Sequence, residues 1–182
     1  MTTYPVTIGA LTRRLPIVAV SPDVSIAFLK LYGDPPLVSA AVALLAQQVS
    51  DEVDIVLGPE AGGILLAHLL AERLALPYVV ARKKARPNMV NPLSVPVRTI
   101  GTSQAQALFL GEDDCGSLQG KNVAVIDEVV SSGGTLDAVR SLVHAAGGRV
   151  VQALAVATEG EPRPDVTSLL HLPLFTTVTT TP

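Results

Sequence analysis

Tryptophan is absent from the 182 residues, cysteine occurs once, and aromatic residues make up only 3% of the chain. A single cysteine, Cys115, excludes an internal disulfide and a cysteine-based zinc site, and it suits a reducing cytoplasm. So few aromatics leave no extended platform on which single-stranded nucleic acid could stack, and a net charge of −3 provides no basic surplus for a phosphate backbone. Nucleic acid is therefore not an expected partner. Apolar runs are short as well: none reaches the roughly 18 residues that a membrane span needs. The polar opening 1–14 carries no signal-peptide pattern. The three histidines, His68, His144 and His171, are widely scattered and read as ordinary surface or core residues.

What is present is a folded-domain composition, with 48% hydrophobic and 16% charged residues. The length suits one domain with a small appendage. After a β-rich opening over 5–20, Pro35-Pro36 starts a helical pattern that ends near Asp51. A buried strand is predicted over 53–57, a loop over 58–63, a helix over 64–74 and a second strand over 77–81. These spacings make a βαβ unit, which requires a parallel sheet and a right-handed crossover. A proline-rich loop over 82–103 follows, with strand character near 95–100, then a strand over 105–110 and a polar turn over 111–121. Further strands are predicted over 123–130 and 149–158, with a β-prone tail from Leu170 to Val178. The alternation predicts an α/β fold, a central mainly parallel sheet flanked by helices, whose ligands bind beyond the carboxyl ends of the strands.

The richest segment lies at one such end. Val123-Ala124-Val125-Ile126 is an apolar strand that finishes in Asp127 and Glu128; Ser131, Ser132, Gly133, Gly134 and Thr135 then open a helix patterned by Leu136, Val139, Leu142 and Val143. Unpaired amides and the positive end of the helix dipole favour an anion there, and glycines let a phosphate approach the main chain. The two carboxylates can accept hydrogen bonds from sugar hydroxyls or hold a hydrated divalent cation. Acids, glycines and hydroxyls in one block fit a ribose phosphate, and the absence of a Walker lysine argues against a nucleoside triphosphatase. Glu60, Ala61, Gly62 and Gly63, between the first buried strand and its helix, repeat the anion-nest pattern. Arg82, Lys83 and Lys84 add a cationic turn at the end of the next strand.

The block 123–135 resembles the phosphoribosyl pyrophosphate motif of type I phosphoribosyltransferases, and the stretches 56–66 and 76–84 resemble the corresponding regions of adenine and xanthine phosphoribosyltransferases. The resemblance implies one phosphoribosyltransferase-like domain over 1–182, with a core of about 35–158 and a hood from about 1–34 and 159–182. It implies transfer of a 5-phosphoribosyl group from phosphoribosyl pyrophosphate to a nucleobase, nominally adenine, with release of pyrophosphate in purine salvage. Asp127 and Glu128 would contact the ribose and hold Mg2+, residues 131–135 would bind the 5′-phosphate, and residues 60–63 with Arg82, Lys83 and Lys84 would face the pyrophosphate. The loop 85–103 would be a mobile cover. A cytoplasmic homodimer is implied by the family alone.

Three positions depart from the adenine-specific pattern. Gly62 stands where those enzymes carry Arg, Ser25-Ile26-Ala27 where they carry Phe-Arg-Asp, and Gln106-Ala107-Leu108 where they carry a catalytic Glu; the next carboxylate is Glu112. A transferase for another base such as xanthine, and a catalytically degenerate phosphoribosyl pyrophosphate-binding or regulatory protein, stand as alternatives.

Overall fold

The computed structural model describes residues 2–97 and 106–176. The opening segment alternates: Val6 and Ile8 turn inward and their neighbours outward, the period of a half-buried strand. It forms β1 (Thr3–Ile8), which pairs antiparallel with β2 (Leu11–Ala19); β2 pairs in turn with β3 (Val24–Ala27). α1 (Pro35–Ala46) starts where Asp34 accepts the Leu37 amide at 3.2 Å, with prolines in the first turn where no amide partner is required. Its stripe of Leu37, Val38, Ala41, Val42 and Leu45 is buried.

From there strand and helix alternate: β4 (Ile55–Pro59), α2 (Gly62–Leu74), β5 (Tyr78–Ala81), the hairpin strands β6 (Leu93–Val97) and β7 (Gln106–Leu110), α3 (Glu112–Leu118), β8 (Asn122–Val130), α4 (Gly134–Ala145), β9 (Arg149–Glu159), β10 (Thr167–Leu172) and β11 (Leu174–Thr176). The central sheet is parallel with the order β10-β9-β8-β4-β5, as the predicted α/β class requires. Its inner strands are continuous apolar runs because both faces are covered. On β8 the faces separate cleanly. Ala124 and Ile126 belong to the core shared with α1, α2 and the antiparallel sheet, whereas Val123 and Val125 belong to the core shared with α4 and the β6–β7 hairpin.

Four details correct the sequence expectation. β4 runs on through Gly58 and Pro59, and α2 already begins at Gly62, so the connection shrinks to Glu60-Ala61. The expected polar turn over 111–121 contains α3; Glu112, Asp113 and Asp114 sit in its first turn, where carboxylates offset the helix dipole. The expected loop 82–103 contains β6, antiparallel to β7, and a bridge between Arg82 and Phe109 ties the hairpin to the end of β5. Residues 98–105 lie outside the described residues. The segment 159–176, expected wholly in the hood, divides instead: β10 adds an edge to the central sheet and β11 pairs with β3, closing the order β1-β2-β3-β11.

Gly58 shows how closely strand and helix meet. A Cβ at this position would overlap the Gly63 carbonyl and stand 2.7 Å from Ala67 Cβ, and backbone cannot swing aside as a flexible side chain can. Gly58→Ala is expected to cost about 3 kcal/mol of stability by overpacking, measurable as a lowered urea midpoint with an unchanged slope.

Candidate active site

Asp127 lies at the carboxyl end of β8 on the face continued from Val125, and its side chain lines a cavity of about 120 Å3 together with Ser131, Ser132, Gly133, Gly134 and Thr135. Asp127 Oδ1 accepts the Glu128 amide at 2.7 Å. Burial pushes the Asp127 carboxyl up from 3.8 to about 7, against the lowering effects of that amide and of Lys83; the Glu128 charge adds to the rise.

The sign of this shift sets a stability prediction. Between about pH 4 and pH 7 the folded chain retains a proton that the unfolded chain has released, so stability falls as pH rises through that window. Asp127→Asn removes the ionisable group. Thermal unfolding should therefore show variant and wild type nearly matched at about pH 4, with the variant several degrees more stable at about pH 8. A pH-independent difference would contradict the shift.

The loop after β8 places Gly133 as the N-cap of α4 with φ 85°, the left-handed region that favours glycine, and no side chain caps the helix. The first amides of α4 thus carry no side-chain cap. Glu159, a carboxylate only 7% exposed at the end of β9, lies near enough to Ser131 for the hydroxyl to lower its pKa, while burial, the larger effect, raises it.

Glu128 does not share the Asp127 cavity. Successive strand residues point to opposite faces, so Glu128 continues the face of Ile126 toward α2. Its Oε1 accepts the Leu31 amide at 3.2 Å, and its side chain covers Gly62: a Cβ there would lie 2.6 Å from Oε2 and 2.8 Å from Glu128 Cβ. Burial raises the Glu128 pKa as well. Of the two acids, Asp127 lines the cavity with the loop and Glu128 lies against Leu31 and Gly62. The Tyr32 hydroxyl donates to the Ala61 carbonyl at 2.7 Å, and its pKa is raised first by burial and then by the Glu128 and Asp127 charges.

Glu60 joins the second loop to the basic turn. Its carboxylate accepts the Lys83 amide at 2.8 Å and Arg86 Nη2 at 3.0 Å, with Arg82 Nη1 at 3.8 Å, and these contacts, the Lys83 amide foremost, hold its pKa below the ordinary carboxylate range. Arg82 is thus partly neutralised. Lys83 and Lys84 are exposed, and Lys83 lies near enough to Asp127 to lower its pKa. Of the departing positions, Ser25, Ile26 and Ala27 form β3, Gln106 and Ala107 pair across the hairpin with Val97 and Pro96, and Glu112 opens α3 beside Arg82 and Arg86. Sequence reading missed Leu31, Tyr32, Glu159 and Arg163, whose guanidinium reaches the Ser132 carbonyl at 3.1 Å. A carboxylate closing an apolar strand, Glu159, was the one visible signal among them.

Comparison with known proteins agrees with this geometry. The family model of the phosphoribosyl transferase domain matches residues 30–169. An adenine phosphoribosyltransferase of Corynebacterium jeikeium is 32% identical over 174 residues, 92% of this chain and 81% of that protein. An HGPRTase-like protein 3 of Haloterrigena turkmenica is 32% identical over 150 residues, 77% of each. Among solved structures, the adenine phosphoribosyltransferase of Thermoanaerobacter pseudethanolicus superposes with a TM-score of 0.65 at 25% identity, covering 76% of this chain and 82% of that one. Matched by the family model over residues 30–169 and by a 32% identical relative over 92% of its length, the chain belongs to the phosphoribosyltransferase family.

Proposed function

We propose that the protein transfers the 5-phosphoribosyl group of phosphoribosyl pyrophosphate to a purine base in nucleotide salvage, with adenine as the nominal acceptor. The observation that carries this reading is the cavity that Asp127 lines together with residues 131–135 at the uncapped start of α4. In the reaction the C1–oxygen bond to pyrophosphate breaks, a C1–nitrogen bond to the base forms, and the base's ring proton passes to the departing pyrophosphate or to water. Charge builds on the leaving pyrophosphate while the sugar becomes cationic, so positioning and electrostatic stabilisation carry most of the catalysis.

Ser131, Ser132, Gly133, Gly134 and Thr135 hold the 5′-phosphate, and Asp127 receives the ribose hydroxyls. Glu60, Ala61, Gly62 and Gly63 offer main-chain contacts to the pyrophosphate, joined by Lys83, Lys84 and the partly neutralised Arg82. Mg2+ fits the donor set. It favours one or two carboxylates completed by substrate phosphates and water, and among the described residues no group of three or more acidic, histidine or cysteine side chains forms a self-sufficient metal cage. Asp127 would hold it, with Glu128 reaching it only on leaving Leu31; bound there, Mg2+ would neutralise pyrophosphate charge. A cytoplasmic homodimer rests on family resemblance.

Incubation with Mg2+, phosphoribosyl pyrophosphate and a panel of purine bases should release pyrophosphate with at least one base, and adenine is the first expected. Release with none would reject the reading. A second reading, binding without turnover, is favoured by the Glu128 carboxylate lying over Gly62, where a cation is missing. Calorimetric binding of phosphoribosyl pyrophosphate with no release would select it.

A further inference from the structure

The connection between β9 and β10 carries a guanidinium to the phosphate loop from outside the cavity. Arg163 Nη1 donates to the Ser132 carbonyl at 3.1 Å, while Nε and Nη2 grip Asp165 at 2.9 and 3.0 Å. Asp165 also accepts Arg140 Nη2 at 3.0 Å, and Arg140 stands on α4, the helix that the loop opens. The guanidinium rests directly against Gly133. A Cβ there would overlap Arg163 Nη1 and stand 2.6 Å from Cζ, so Gly133 is required for this approach as well as for its φ of 85°.

An exposed ion pair would contribute little. The Arg163 side chain is only 17% exposed, its fork on Asp165 is bidentate, and Nη1 gives a further donor to loop backbone rather than to solvent. The loop otherwise has weak internal restraint. No side chain caps α4. In a trans peptide the carbonyl and the following N–H point in opposite directions. Holding the Ser132 carbonyl toward Arg163 therefore aims the Gly133 amide away from Arg163, which is not among the residues lining the cavity.

We propose that Arg163 is a positioning residue for the sugar 5′-phosphate: through the Ser132 carbonyl it holds the Ser132–Gly133 peptide in its anion-binding orientation, while Asp165 and Arg140 fix the guanidinium. This rests on the assignment of residues 131–135 to the phosphate.

The test is calorimetric titration with ribose 5-phosphate, which needs no turnover, together with steady-state kinetics in phosphoribosyl pyrophosphate. Arg163→Ala should raise the Kd for ribose 5-phosphate and the KM for phosphoribosyl pyrophosphate together by about tenfold, the scale of one charge-assisted hydrogen bond. The kcat at saturation should stay within about twofold, because the lost interaction serves substrate and transition state alike. Arg163→Lys should recover part of the affinity, since an ammonium reaches one acceptor but cannot reproduce the fork. Asp165→Asn should shift both constants in the same direction by less, and it decides the matter with Arg163→Lys should Arg163→Ala fail to fold. A lowered Tm with unchanged Kd and KM, or a fall in kcat as large as the rise in KM, would overturn the positioning role. Thr135→Val separates the two ideas: if it leaves ribose 5-phosphate affinity unchanged, the phosphate assignment itself fails; if it weakens binding and Arg163→Ala does not, only the role of Arg163 fails.

Discussion

Asp127→Asn is expected to lower kcat/KM by about 10²- to 10³-fold, the scale seen when one preorganised electrostatic contact to a transition state is removed. The change is nearly isosteric. The amide oxygen of Asn can still accept the Glu128 amide that Asp127 Oδ1 receives at 2.7 Å, so β8 and the loop after it keep their shape. What disappears is the negative charge at the cavity wall, the one that would meet the ribose hydroxyls, Mg2+ and the cationic sugar. Steady-state kinetics alongside thermal unfolding measures this. The account requires lost activity with a Tm equal to or above that of wild type near neutral pH, because a buried carboxyl raised to about 7 costs stability once ionised. Retained activity would remove Asp127 from the reaction.

Gly62→Arg is expected to lower kcat/KM by about tenfold or more, although it introduces the very cation that adenine-specific relatives are expected to carry there. The reason is Glu128. Its carboxylate and Cβ occupy the space into which any side chain at 62 must emerge, at 2.6 and 2.8 Å from an ideal Cβ. The incoming Arg would have to displace Glu128 from the Leu31 amide, loosening the link between the segment before α1 and β8. Shortening the acid removes the overlap with the carboxylate but not the one with Cβ, so Gly62→Arg with Glu128→Asp should recover only part of the loss. That is strong non-additivity between residues in contact. A kinetic double-mutant cycle tests it; a gain in kcat/KM from Gly62→Arg alone would show that Glu128 does not hold the position.

The parallel sheet was legible because its strands are continuous apolar runs spaced by helices, a pattern that depends on local sequence only. The turn over 123–135 was legible for the same reason, since acid, hydroxyl and glycine follow one another along thirteen residues that fold as one strand-loop-helix unit. The opposite directions of Asp127 and Glu128 follow from the two-residue period of a strand, yet the adjacent acids were read as a pair because the motif invites it. α3 was hidden by its acids and Gly116, which read as a turn; the acids instead sit where a helix N-terminus stabilises them. Leu31, Tyr32 and Arg163 were beyond local reading. Leu31 meets Glu128 across 97 positions and Arg163 meets Ser132 across 31, so neither contact leaves a mark in spacing or periodicity. β10 was misplaced because a short strand shows its β preference but not which sheet edge will accept it.

The most direct test of the central claim is a crystal structure with phosphoribosyl pyrophosphate and Mg2+ bound. The account predicts the 5′-phosphate on the amides of Gly133, Gly134 and Thr135 at the start of α4, with the ribose hydroxyls or the cation within hydrogen-bonding or ligation distance of Asp127. A ligand whose 5′-phosphate sits elsewhere, with the loop 131–135 untouched, would contradict it.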